Sequence, residues 1–333
     1  MTDAERKSAT FENLRLVNSK LLASYLLNRP HLLNNWLWVN LPEAERRPTL
    51  LGRDEVVYHA WRPGFLVIDE TEASCLRELI AGTASAETSA EHSRIAGHLA
   101  DLGWCADEEL DMDALLVRVR ENFFAWQNPR ELREFLELVR ERRPRAVLEI
   151  GTAAGGMFYC LSQLADPAAL MISIDTKGLP YGGGQTTAEC ELYRSFGPVS
   201  QRFEFIRNRS FHHATLMALE KILDGRKLDL LFIDADHSYG GVRSDFELYR
   251  RFVAEDGLIA FHDICDFPTS FEDWTYGNEV AILWREIAAS YETRSIIDPE
   301  PLLGPSTSQE RLEVRWPALG IGVVLGPAGE LPS

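Results

Sequence analysis

The chain has 333 residues, 45% of them hydrophobic and 26% charged, with a formal net charge of −17. That size predicts one large domain or two modest ones, with ample apolar side chains for a core. So acidic a chain lacks the cationic surplus that neutralises a phosphate backbone, so nucleic acid is not an expected partner.

The five cysteines are Cys75, Cys105, Cys160, Cys190 and Cys265. Their number is odd and no two have zinc-knuckle spacing, so neither a metal knuckle nor a disulfide framework is predicted. The opening MTDAERKSATFENLR carries charge throughout, and no stretch reaches the roughly 18 apolar residues of a membrane span. A cytoplasmic chain without a membrane partner is expected.

In chain order, residues 1–110 read as an N-terminal α+β accessory domain. Asn13 to Leu27 has helical patterning, and Pro30 interrupts the pattern beyond it. Trp36-Leu37-Trp38-Val39 is aromatic and apolar, and Val56 to Ile68 has β character broken at Pro63-Gly64. Helices are predicted around Glu70–Ile80 and His92–Leu102, separated by the loop-like Gly82-Thr83-Ala84-Ser85. Trp36, Trp38, Trp61 and Trp104 suit a core or a subunit interface, which makes a homodimer the expected assembly. Strands followed by helices ending in Leu-Gly-Trp resemble a small winged-helix module of the kind that recognises peptides in peptide-modifying pathways. The plainer expectation is a substrate lid or dimerisation domain.

Residues 111–143 read as a helical linker. Asn128 is a predicted N-cap with Pro129 at the first helical position, Leu132, Phe135, Leu136 and Val139 form one apolar stripe, and Pro144 stops it. From residue 144 to 333, short apolar β runs alternate with helix-length segments: Ala146–Ile150, Leu170–Ile174, Phe203–Ile206, Leu228–Ile233 and Leu258–Phe261. Parallel strands covered on both faces read in this continuous way, so a doubly wound, mostly parallel α/β sheet is expected. Glu292–Ile297 and Gly320–Leu325 lack a helical stripe between them and predict an antiparallel pair at the sheet edge. The whole is a seven-stranded Rossmann-like sheet.

The first of these strands runs into Glu149-Ile-Gly-Thr-Ala-Ala-Gly-Gly156. Small residues there let the backbone turn tightly and approach a ligand at a helix N-terminus, so Glu149, Gly151, Thr152, Ala153 and Gly155 are candidate cofactor contacts. Ala153 stands where a dinucleotide fingerprint has glycine. The second strand ends at Asp175, which can accept the ribose hydroxyls of an adenosine; this alone does not separate NAD from S-adenosylmethionine. The glycine-rich Thr176–Gly184 stretch is either a loop that closes over substrate or a plain connector.

Leu231-Phe-Ile-Asp-Ala-Asp-His-Ser-Tyr-Gly-Gly-Val242 delivers Asp234, Asp236 and His237 to the carboxyl end of one strand, where ligands of open α/β sheets bind. His237 suits proton abstraction near neutral pH, while Asp236 or Ser238 suits an N-cap. The next strand ends in Phe261-His262-Asp263, beside Asp234. Two converging carboxylates repel unless a cation or proton lies between them, so Asp234, Asp263 and His262 are candidate ligands for Mg²⁺. His212-His213 is expected at the surface.

With VLEIGTAAGG, SIDTKGLPYGGG, LFIDADHSYGGVRSDFELY, GLIAFHDI and EVAILWREI in order, residues 146–325 resemble the class I methyltransferase family of macrocin-type sugar O-methyltransferases and cephalosporin-cluster methyltransferase-like proteins. An antiparallel ending of the sheet is characteristic of methyltransferases. The resemblance implies that Gly151, Gly155 and Asp175 contact S-adenosylmethionine and that Ser210, in the loop Asn208-Arg209-Ser210, approaches the adenine. The family commonly has Gly-Asp-Ser there, so Arg209 replaces an acid. Asp234 would match a cation ligand of metal-using relatives and His237 their base, but those relatives carry two acids where this chain has His262-Asp263.

The expected function is S-adenosylmethionine-dependent O-methylation of a small natural-product or sugar-like acceptor, with His237 and Asp234 catalytic. Two alternatives remain: an interaction protein whose N-terminal module recognises a peptide or protein, and an NAD-dependent dehydrogenase.

Overall fold

A computed structural model of the 333-residue chain describes residues 14–18, 22, 55–59, 65–81, 83, 90–101, 111–123, 125–176, 185–198, 200–266, 278–298 and 318–326. Expectations placed on Pro30, on Trp36 to Val39, on Trp61, Pro63-Gly64, Gly82, Ala84-Ser85 and Trp104, on Cys105 and on the glycine loop from 177 to 184 lie outside the described residues. The chain forms two compact units, residues 1–124 with 186–199, and residues 125–185 with 200–333.

In the first unit, β1 (Leu14–Asn18), β2 (Glu55–His59) and β3 (Phe65–Ile68) form an antiparallel sheet in that order. The helix expected from Asn13 is therefore corrected at its start. Leu14 and Leu16 alternate onto one face, and Leu14 pairs with His59 while Asn18 pairs with Glu55. A strand some forty residues away decided that conformation, and local periodicity carries no trace of it.

Helix α1 (Glu70–Ile80) starts with a reciprocal cap. Glu72 N–H donates to Asp69 Oδ1 at 2.9 Å, and Asp69 N–H donates to Glu72 Oε2 at 2.8 Å. It packs with α2 (Ala90–Asp101) over a core of Leu14, Val57, Ile68, Ala73, Leu76, Ile95 and Leu99. The same unit holds α3 (Met112–Asn122) and the helix Thr187–Arg194, and just past their C-terminal ends Phe123 meets Phe196 with ring centroids 4.7 Å apart.

The second unit runs α4 (Pro129–Arg142), β4 (Ala146–Ile150), α5 (Gly156–Leu164), β5 (Leu170–Asp175) and, past α6 (the Thr187–Arg194 helix), β6 (Arg202–Arg207). It continues through α7 (His213–Leu223), β7 (Leu228–Ile233), α8 (Tyr239–Tyr249), β8 (Val253–His262), α9 (Val280–Ser290), β9 (Thr293–Ile296) and β10 (Ile321–Leu325). The described strands make a seven-stranded sheet in the order β6-β5-β4-β7-β8-β10-β9. β6, β5, β4, β7 and β8 are mutually parallel; β10 is antiparallel to both β8 and β9 and inserts between them. The mostly parallel α/β sheet with an antiparallel ending agrees with the expectation, and the last strand proves to be the inner member of the edge pair.

Two features of this unit position the candidate site. Strand order reverses at β4, whose neighbours are β5 and β7, so a crevice opens between the carboxyl ends of β4 and β7. Helix α4 is tied to the C-terminal strands by buried Glu131, which accepts from Asp298 N–H at 3.0 Å and Gly320 N–H at 2.9 Å. No described helix is long and apolar enough to cross a membrane.

Candidate active site

At the end of β4 the chain turns through Gly151 at φ +90°, Ala153 at φ +44° and Gly155 at φ +85°. A Cβ on Gly151 would overlap the Asp234 carbonyl, so only glycine lets β7's end lie against this turn. Gly155 is the N-cap of α5 and brings no side chain to it, leaving the helix start open to a ligand. Thr152 and Ala153 donate their N–H groups to Asp175 Oδ2 at 3.0 and 2.9 Å, and Thr176 N–H donates to Oδ1 at 2.6 Å. The first work of Asp175 is thus to brace the turn across β4 and β5. Below, the hydroxyls of Thr152 and Ser173 and the amide of Gln185 are hydrogen bonded in a chain.

Glu149 is buried at 1% exposure, and its Oε2 has no hydrogen-bond partner. Burial, and then the charge of Asp234, push its carboxyl well above the usual range.

The loop Asn208-Arg209-Ser210 follows β6. Tyr249 Oη donates to the Ser210 carbonyl at 2.7 Å, and Asp245 hydrogen bonds the Ser210 side chain. α8 therefore underpins the loop expected to approach an adenine. Burial raises the Asp245 carboxyl to about 6, helped by Asp236 and opposed by the Ser210 bond. His212 and His213 are exposed, with His212 Nδ1 2.9 Å from Asn208 Oδ1.

Beyond β7 and β8 the structure brings four expected residues together. His262 Nδ1 lies 3.2 Å from Asp234 Oδ1 and 3.3 Å from Asp263 Oδ2. His237 Nε2 lies 3.3 Å from Asp263 Oδ2 and 3.7 Å from Asp234 Oδ1. Asp263 takes the left-handed conformation at φ +60°, a conformation uncommon outside glycine that aims its carboxylate inward beside His262. Ser238 supplies the N-cap of α8 through Gly241 N–H, and Asp236 Oδ1 accepts from Ser238 N–H at 2.9 Å.

Three of these groups are shifted by their neighbours. For His262 burial lowers the pKa, but Asp263 and Asp234 outweigh it and hold the imidazole well above its ordinary value. For Asp234 burial acts upward, while His262 and His237 hold the carboxylate below the usual range. For His237 burial again opposes, and Asp234 and Asp263 raise it.

Asp234, His237 and Asp263 offer ligand atoms within 4.8 Å of one another among the described residues. The donor set fits Mg²⁺ poorly all the same. A hard cation prefers oxygen, and the His262 imidazole already lies within 3.3 Å of both carboxylates that a metal would bridge. His262, one of the expected ligands, is instead a hydrogen-bonding partner of both acids.

One residue escaped the sequence entirely. Gln127 is 4% exposed and donates through Nε2 to Asp234 Oδ2 at 2.9 Å. No local pattern distinguishes it, because it immediately precedes the Asn128-Pro129 cap and comes to β7 only through the fold.

Residues 148–264 match the family model described as a methyltransferase domain, about a third of the chain. Among curated proteins, an uncharacterised protein of Sinorhizobium fredii, y4gI, is 28% identical over 162 residues, which is 46% of this chain and 17% of that protein. An uncharacterised protein of Acanthamoeba polyphaga mimivirus, R132, is 31% identical over 130 residues, 39% of this chain and 56% of that one. The chain thus spans less than two thirds of either relative. Solved structures that align include cofactor-bound Rv0187 from MTB, at 18% identity and TM-score 0.43, over 66% of this chain and 88% of that one. An O-methyltransferase from Bacillus cereus in complex with SAH aligns at 17% identity and TM-score 0.41, over 69% and 96%. The sheet from β4 to β8, with the turn and the carboxylates at its rim, is the part of this chain that is similar to methyltransferase domains.

Proposed function

We propose that the chain is an S-adenosylmethionine-dependent methyltransferase that methylates a hydroxyl of a small natural-product or sugar-like acceptor. One observation carries this reading: the turn at Gly151–Gly155, the unpartnered Glu149 oxygen and the Asp234–His237–Asp263 cluster all converge on the carboxyl ends of adjacent strands. The turn and the open helix start suit the amino-acid end of such a donor, and Asp175 with Ser210 suits the adenosine.

The donor supplies a sulfonium methyl group for in-line displacement by the acceptor oxygen. The chain's own residues position and deprotonate that acceptor. His237 faces both acids through Nε2, so the tautomer with its proton on Nε2 leaves the Nδ1 lone pair for the acceptor's proton. Asp234 and Asp263 orient the ring and stabilise it once protonated. Positioning contributes the larger share of rate and the base typically about 10²–10⁴-fold.

Calorimetry with S-adenosylhomocysteine tests the donor, and a methyl-transfer assay on His237→Ala tests the base. The variant is expected to bind S-adenosylhomocysteine like the wild type and to lose turnover by about 10²-fold or more. Full turnover with intact binding would remove His237 from the mechanism.

A further inference from the structure

Gln127 lies just before α4, and its neighbour is fixed at both ends. Asn128 caps the helix by accepting from Arg130 N–H at 2.9 Å, and its amide donates to Asp298 Oδ2 at 3.2 Å. The backbone immediately after Gln127 is therefore anchored, and the side chain is buried beside Asp234.

Chemistry settles which way the amide faces. A carboxylate oxygen accepts, and the amide nitrogen of Gln127 is the end that points at Asp234, donating through Nε2 to Oδ2 at 2.9 Å. The other end, Oε1, is buried and has no hydrogen-bond partner. An amide oxygen left unsatisfied away from water is costly, unless a ligand brings a donor. Glu149, on β4 alongside β7, also carries a buried oxygen without a partner, Oε2. Asp234 itself leans on the glycine turn, with its N–H on the Ile150 carbonyl at 2.9 Å and its own carbonyl in the space left by Gly151. An orphan amide oxygen beside the Asp234 carboxylate, against the turn at the end of β4, calls for a cationic group with several N–H donors. A hydroxyl brings one donor and no charge.

We propose that Gln127 is a donor-positioning residue: its amide nitrogen holds Asp234 in place, and its carbonyl oxygen accepts a hydrogen bond from the α-ammonium group of the methyl donor. This rests on the donor proposed above. It adds a residue from ahead of α4 to a site otherwise built from strand ends.

The test is a thermodynamic cycle on binding, with S-adenosylhomocysteine and its desamino analogue titrated into wild type and Gln127→Met, a change that keeps side-chain length. The wild type is expected to prefer the amine-bearing ligand by about tenfold or more. Gln127→Met is expected to bind S-adenosylhomocysteine about tenfold more weakly, to bind the desamino analogue like the wild type, and so to lose most of the preference. A variant that keeps the wild-type preference, or that weakens both ligands equally, overturns the role of Gln127 and leaves the methyltransferase reading standing. A folded wild type with no affinity for S-adenosylhomocysteine overturns that reading and this inference with it. Gln127→Leu, read by the same cycle, serves if the methionine variant fails to fold.

Discussion

At the scale of single residues, the acid–imidazole cluster sets how the protein responds to pH. His237 is raised above the ordinary histidine value of 6.5 because Asp234 and Asp263 outweigh its burial. A base must be neutral to accept a proton, so kcat/KM is expected to climb with pH through a value above 6.5 and to fall off below it. Asp263→Asn removes one cause of the shift, and its acid limb should move to lower pH in a pH–rate profile. An unmoved limb would assign that titration to another group.

Asp245 makes the opposite kind of statement, about stability. Its carboxyl titrates at about 6 in the folded chain, above the ordinary 3.8, because burial penalises the charge. Between those values the native state holds a proton that the unfolded state has released, so this group's contribution to stability declines as pH rises from about 4 to about 6. Asp245→Asn keeps a partner for Ser210 without the buried charge. It should be more stable than wild type at pH 7 by about 1–3 kcal/mol and indistinguishable near pH 4, as measured by denaturant melts.

At the scale of elements, the site depends on two strands touching across one glycine. Gly151 combines φ +90° with the approach of the Asp234 backbone, so Gly151→Ala is both strained and obstructed. A loss of about 2 kcal/mol or more is expected, with S-adenosylhomocysteine affinity abolished even where the variant still folds. A variant of wild-type stability and affinity would mean that β4 and β7 can part without consequence. The helix starts obey simpler rules. Asn128-Pro129 opens α4 and Ser238 opens α8 as their side chains dictate, because a cap involves only neighbours in the chain. β1 shows the limit of such rules: its five residues form a strand because Glu55–His59 offers an edge, and nothing within Asn13 to Leu27 encodes that partner.

At the scale of the whole molecule, the division of the chain differs from a simple cut at residue 144. α4 belongs with the sheet unit through Glu131, whereas residues 186–199, which hold α6 between β5 and β6, belong with residues 1–124 and include the Phe196 that meets Phe123. A fragment of residues 144–333 would lose both Glu131, leaving two buried N–H groups unsatisfied, and the ring that covers Phe196. It is expected to aggregate or to melt without cooperativity. A fragment of residues 111–333 retains both and should melt cooperatively, as size exclusion and calorimetry would show. Equal behaviour of the two would mean that neither contact matters to the sheet.

The sheet class, the glycine turn, the acids at strand ends and the caps were all determined by the sequence itself. Each is written in residues adjacent along the chain: apolar runs of strand length, small residues at a turn, an acid one step past a strand. Three things were decided only in the tertiary structure. The fold gave Asp175 its prior task of bracing the turn, placed His262 between two carboxylates that sequence spacing had suggested for Mg²⁺, and brought Gln127 from 107 positions away onto Asp234. The reason is physical: periodicity and capping are short-range, whereas charge balance and the satisfaction of buried polar atoms depend on which distant groups the fold places within about 3 Å.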